Sequence, residues 1–148
     1  MSTLSILKFR AAVIAATLAI TPLSQVCRAQ DVGMLIQVNV PFAFDTASEH
    51  FDAGVYTIRT ENEHILRFQG KSQSELVMTW VEDNAQPATT GKATFQKYGD
   101  QYFLSEISIA GKCRHLYFWP SRAEQELQVA GNKTTPTGVE VALMDGSR

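Results

Sequence analysis

The sequence predicts an all-β domain, a small antiparallel β-barrel or sandwich of about six to eight strands with one short C-terminal helix. Three observations predict it. Apolar and polar residues alternate in short runs, the runs recur at intervals of about ten residues, and each run stops at turn-forming residues.

The alternation is plainest at the start, where Ile36, Val38, Val40, Phe42 and Phe44 interleave with Gln37, Asn39, Pro41 and Ala43. A period of two puts one side of such a strand in a core. Pro41 lacks an amide hydrogen, so it marks an edge or the end of pairing. Tyr56 and Ile58 repeat the pattern within 55–60, Leu66 and Phe68 within 64–69, and Leu76, Met78 and Trp80 within 74–81. Asp52, Ala53 and Gly54, then Glu61, Asn62 and Glu63, then Gly70, Lys71 and Ser72 supply the turns. Residues 83–91 are polar around Pro87 and read as the longest surface loop. Residues 92–98 and 101–109 flank Gly99 and Asp100, a two-residue hairpin connection that tolerates positive φ. On this reading Phe95 shares a buried face with Phe103, Ile107 and Ile109. Residues 116–119 form a further short strand. Past Pro120 the period changes. Ser121 with Glu124 makes a capping box for a helix over 122–130, with Gly131 as its C-terminal cap, expected to cover an end or an open edge of the sheet. Residues 139–144 supply a last strand.

Residues 1–29 read as a cleavable secretory signal. Lys8 and Arg10 give the positive start, residues 11–20 the apolar core, and Cys27, Arg28 and Ala29 a cleavage site that leaves Gln30 first. The apolar run is short of the roughly 20 residues of a spanning helix. Residues 30–148 then form one domain, frayed at 30–34 and 145–148, in the periplasm or outside the cell. Losing Lys8, Arg10 and Arg28 leaves 10 of the 13 basic residues against all 15 acidic ones, a net charge of −5. That counts against nucleic acid and anionic membranes as partners. Cleavage also removes Cys27, so Cys113 is expected to stand alone, either buried and inert or open to pairing with another chain.

Four segments form a recognisable set: Val38-Asn39-Val40-Pro41-Phe42-Ala43-Phe44, Phe51-Asp52-Ala53-Gly54-Val55-Tyr56, Tyr98-Gly99-Asp100-Gln101-Tyr102-Phe103-Leu104, and Pro120-Ser121-Arg122-Ala123-Glu124. In these, over about Val38 to Val129, the chain resembles the small secreted proteins of acidobacterial type. The resemblance implies an exported, Gram-negative setting and brings no catalytic residues with it. Gly111 to Leu116, with Cys113 and His115, departs from that pattern.

Signals for chemistry are sparse. The three histidines are scattered, and only Cys113 with His115 has the spacing that places two metal ligands on one strand face, a weak zinc or copper alternative. There is no G-x-S-x-G elbow and no glycine-rich phosphate loop, and the carboxylates fall mostly in turns. No cofactor is expected. The aromatic residues are more suggestive. Tyr98 and Tyr102, with Gln96, are expected on the exposed face of the hairpin as contacts for a ligand or partner. Phe42, Phe44, Met78 and Trp80 are expected to line a pocket if the barrel is hollow. The reading is therefore a non-enzymatic binding domain for a partner protein or a small apolar or glycan ligand. The alternative is a hydrolase assembled from dispersed carboxylates or from Cys113 and His115.

Overall fold

The computed structural model describes residues 33–84, 86–130 and 135–145. The signal segment 1–29 and the helix cap Gly131 lie outside the described residues. The chain folds as an eight-stranded closed antiparallel barrel with one short helix near its C-terminus. No helix among the described residues is long and apolar enough to cross a membrane.

The strands of the wall are β1 (Leu35–Val40), β4 (Gly54–Asn62), β5 (Ile65–Gln69), β6 (Ser74–Asp83), β7 (Lys92–Tyr98), β8 (Gln101–Ser108), β9 (Arg114–Phe118) and β10 (Thr137–Asp145). Two short strands, β2 (Phe44–Asp45) and β3 (His50–Phe51), lie at one end, and α1 (Arg122–Ala130) joins β9 to β10. Around the barrel the order is β1, β4, β5, β6, β9, β8, β7, β10, with β10 returning to β1. Two meanders are thus set into the cylinder in opposite senses. The loop after β6 must cross β9 and β8 to reach β7 at one end, called here the mouth. The segment carrying α1 crosses at the other, closed end.

Pro41 follows the last residue of β1, so the nine-residue alternation breaks there into β1 and β2 rather than forming an edge strand. β2 pairs in parallel with β8 at Phe103, on the stretch of that strand that β9 leaves free. Together β2 and β3 deliver Phe44 and Phe51 to the closed end, both with 1% exposure or less. Their rings stack at 5.0 Å, Tyr56 and Phe95 meet Phe44 edge-on, and Phe68 and Phe118 continue the chain of rings. The Tyr56 hydroxyl donates to the Asp52 carbonyl at 2.6 Å. Its ring lies so close to Gly70 that a Cβ there would come within 2.7 Å, so that turn requires glycine. Below this plug, Val38, Ile58, Leu66, Val77, Ala93, Ile107 and Leu116 fill the interior.

The facing of β6 differs from the sequence expectation. Val77 and Thr79 are buried and Val81 packs on the core, while Leu76 is 50% and Met78 69% exposed. Both parities of this strand carry large side chains, so periodicity alone could not choose. The register chooses: Leu66 of β5 faces Val77, and directly opposed residues share a face.

The capping box forms. The Glu124 amide donates to Ser121 Oγ at 3.0 Å, and the Glu124 carboxylate accepts the Ser121 amide. The helix covers little, however. Glu124 is its buried residue and Val129 is 85% exposed, because a closed wall offers no open edge to cover.

Three outcomes follow. Phe51→Ala should cost about 3–5 kcal/mol in urea unfolding, whereas Met78→Ala should stay within about 0.5 kcal/mol. Ser121→Ala should cost about 1 kcal/mol. Burial raises the Glu124 carboxyl above its ordinary 4.5, and its Gln128 and Ser121 hydrogen bonds only partly oppose this. A raised acid holds its proton longer when folded, so its ionisation erodes stability as pH rises from that value. Urea midpoints of Glu124→Gln should therefore gain on the wild type as pH rises through the carboxylate range.

Candidate functional site

The hairpin residues expected to form a contact surface separate. Tyr98 pairs with Gln101 across the Gly99–Asp100 turn, where Gly99 takes φ 60°. That register sets Phe95 against Leu104 and Lys97 against Tyr102, so Tyr102 shares the side of Phe95. There it stacks on Phe42 at 3.9 Å. Gln96 and Tyr98 belong to the opposite side with Phe103, and Tyr98 is buried with its ring edge-on to Phe103. Ser105 is a bulge, its hydroxyl donating to the Thr94 carbonyl at 2.9 Å, and it returns Ile107 to the core side. Phe103 was therefore misplaced in the sequence reading, and the three contact residues form no common surface.

The four residues expected around a pocket also divide. Phe42 and Phe44 belong to the closed end, with Phe44 in the core and Phe42 packed against it, while Met78 and Trp80 face outward from β6. The wall of the barrel lies between the pairs.

Cys113 is not a lone thiol. It is disulfide-bonded and 5% exposed. This corrects both the expected free cysteine and the Cys113–His115 pair as metal ligands or nucleophile and base, since a sulfur in a disulfide offers no thiolate. The other cysteine, Cys27, lies outside the described residues. A disulfide within one chain and a cut after Ala29 exclude each other, because that cut discards Cys27.

What the fold does assemble is an aromatic platform on the outside of β6 and β9. Trp80 and Tyr117 are directly opposed across the two strands, their rings 5.5 Å apart and 22° from parallel. His115, two residues before Tyr117, continues the surface at 6.3 Å and 23°. Trp119, 48% exposed just beyond β9, meets Trp80 edge-on at 4.4 Å and makes a wall to this floor. Leu76 and Met78 extend the apolar side.

The other side is polar. Glu106 of β8 is opposed to Tyr117 and lies 2.5 Å from His115 Nδ1. With Nδ1 carrying the proton towards that carboxylate, a neutral ring leaves Nε2 as an acceptor. Trp80 Nε1 donates to Glu82 at 3.4 Å, and Glu82 faces His115 across the strands. Burial, then the charges of Glu106 and Glu82, raise the Tyr117 phenol above its ordinary value, so it remains a donor at neutral pH. Thr94, opposed to Glu106, has a buried hydroxyl without a hydrogen-bond partner among the described residues, as does Ser108, opposed to His115. Aromatic floor, indole wall and a border of carboxylates thus occupy adjoining rows of the wall's outer face, with the Thr94 and Ser108 hydroxyls buried beside them.

The alternation of Leu76, Met78 and Trp80 predicts Trp80 inside, and it points to no role for Tyr117 and Trp119. The available signal was the pair of alternating aromatics Tyr117 and Trp119, which leaves Leu116 and Phe118 for the core. Compared with protein-family models, curated proteins and solved structures, the chain matches none.

Proposed function

We propose that the protein is an exported, non-enzymatic binding domain that holds a saccharide on the Trp80–Tyr117–Trp119 platform. The platform itself carries the reading. A pyranose presents a face of C–H bonds and a rim of hydroxyls, which suits near-parallel rings bordered by acceptors and donors. Glu82 and Glu106 disfavour anionic ligands, so the sugar is neutral or amino-substituted. A filled interior at the closed end supports surface binding over carriage through the barrel. The hydrolase alternative keeps the His115–Glu106 pair, set on a convex wall, and loses Cys113.

Export is supported by the charge and hydropathy pattern of the first residues and by the disulfide at Cys113, since such bonds persist in oxidising compartments. The acidobacterial-type resemblance points the same way. In protein recovered from periplasm or medium and denatured without reductant, Cys113 should resist alkylation until reductant is added. Immediate labelling would establish a free thiol and favour the cut after Ala29.

Saccharide binding is tested by titrating soluble β-linked gluco-, manno- and chito-oligosaccharides while following tryptophan emission and heat. One series should shift the emission. Stacking on an aromatic platform is worth about 1–3 kcal/mol for a nucleobase, and loss of the Trp119 or Tyr117 ring to Ala should weaken a bound pyranose roughly tenfold. Unchanged emission and no heat with every series would refute the reading. Capture of a protein partner lost in the same variants would assign the platform to protein contact instead.

A further inference from the structure

We infer that the mouth of the barrel is a second binding site, for a single unbranched aliphatic chain whose head group stays in solvent. A cavity of about 270 Å³ opens there between the start of β1, the end of β10 and the turn from β8 to β9. Met34, Ile36, Ile109, Leu143 and Met144 supply most of its apolar lining, and Gly91 and Lys112 also border it. Ile36 and Ile109 are each 7% exposed and form its deep side, while Met144, 47% exposed, stands at the rim.

The backbone around this cavity has already satisfied itself. Leu143 donates to the Gly91 carbonyl at 3.0 Å, Gly111 to Ala88 at 2.9 Å, Ala88 to Lys112 at 2.8 Å and Lys112 to Ile109 at 3.0 Å. Across the start of β1, Gly33 donates to the Thr60 carbonyl at 2.9 Å and Thr60 donates to the Met34 carbonyl at 3.2 Å. The walls are therefore held in shape by these backbone bonds around a mainly apolar lining, in which Lys112 is the charged residue, and such a space is a preformed site for an apolar chain. A Cβ on Gly91 would stand 3.3 Å from the Leu143 Cβ, so the absence of a side chain there lets the loop after β6 approach β10 closely.

The ligand class follows from shape and lining. Among the described residues no aromatic ring lines the cavity, and two unbranched, adaptable methionines do, which suits a flexible chain better than a flat ring system. At roughly 30 Å³ for a water-sized group, comparable to a methylene, the volume holds about nine carbons. Val38, Ile58 and Leu116 fill the barrel beyond and set a floor, so the site has a length limit. This site and the outer platform use different residues.

The test is calorimetric titration of the full chain with two series, n-alkanols and n-alkanoates of about six to fourteen carbons. Affinity should tighten about fourfold per methylene in both series up to about nine or ten carbons and then level off. Met144→Trp, at the exposed rim, should weaken binding at least tenfold, and Leu143→Phe should shorten the best chain. Melting curves identify whether either variant has lost its fold. Trp119→Ala should bind the chains as the wild type does. No binding in either series, the result if the chain's own flanking residues occupied the mouth, would overturn the inference. So would affinity that keeps rising past the length limit, binding confined to alkanoates, binding unchanged in both folded mouth variants, or binding abolished by Trp119→Ala.

Discussion

A curved sheet with two free ends exposes two rows of unpaired N–H and C=O groups, and it buries its concave side poorly. Here β10 removes both ends at once. It pairs with β1 at Ile36 to Val38 and with β7 from Lys92 to Lys97, and it turns an open sheet into a cylinder. Every other feature depends on that closure, since a continuous wall defines an inside for the core, an outside for the platform, and two ends that must be treated differently. Lys92 of β7 and Glu140 of β10 form an ion pair across one of these seams. Its exposure makes it a minor contributor beside the backbone pairing.

The two ends are filled by different means. At the closed end the chain leaves β1, makes the β2–β3 excursion and returns as β4, inserting Phe44 and Phe51 among the rings of Tyr56, Phe68, Phe95 and Phe118. At the mouth the crossing loop and the β8–β9 turn bond to each other through backbone groups, and smaller aliphatic side chains leave a cavity. Apolar volume is thus concentrated at one end, and the space available to a ligand lies at the other.

The same wall sorts its aromatic residues. Interior rings are locked among neighbours, whereas Trp80, Tyr117 and Trp119 are partly open to solvent and grouped with His115, Glu82 and Glu106. Trp80 and Tyr117 pair across β6 and β9 and so help hold the two strands together, and the carboxylates beside them are what mark the outer face as more than a packing surface. The disulfide at Cys113 lies just before β9, the strand that carries His115 and Tyr117 and leads into Trp119.

Local pattern was enough for much of the fold. Alternation around Ile36, Val38, Tyr56, Ile58, Leu66 and Phe68, the Gly99–Asp100 turn, and the Ser121–Glu124 box depend on interactions within a few residues, so strands, hairpin and helix were legible in the sequence. The facing of β6 was not, because Leu76, Met78 and Trp80 compete with Val77, Thr79 and Val81 on equal local terms, and only pairing with Leu66 separates them. Phe103 was misassigned because the turn register sets Leu104 opposite Phe95, with the Ser105 bulge restoring Ile107 to the core side. Closure by β10, the platform formed by β6 meeting β9, and the mouth cavity unite residues far apart in the chain. The sequence by itself determined that this chain makes short, one-sided strands joined by tight turns. Which strands meet, and hence which side of each becomes a site, was decided only by tertiary pairing, because long-range register is set by the whole barrel closing.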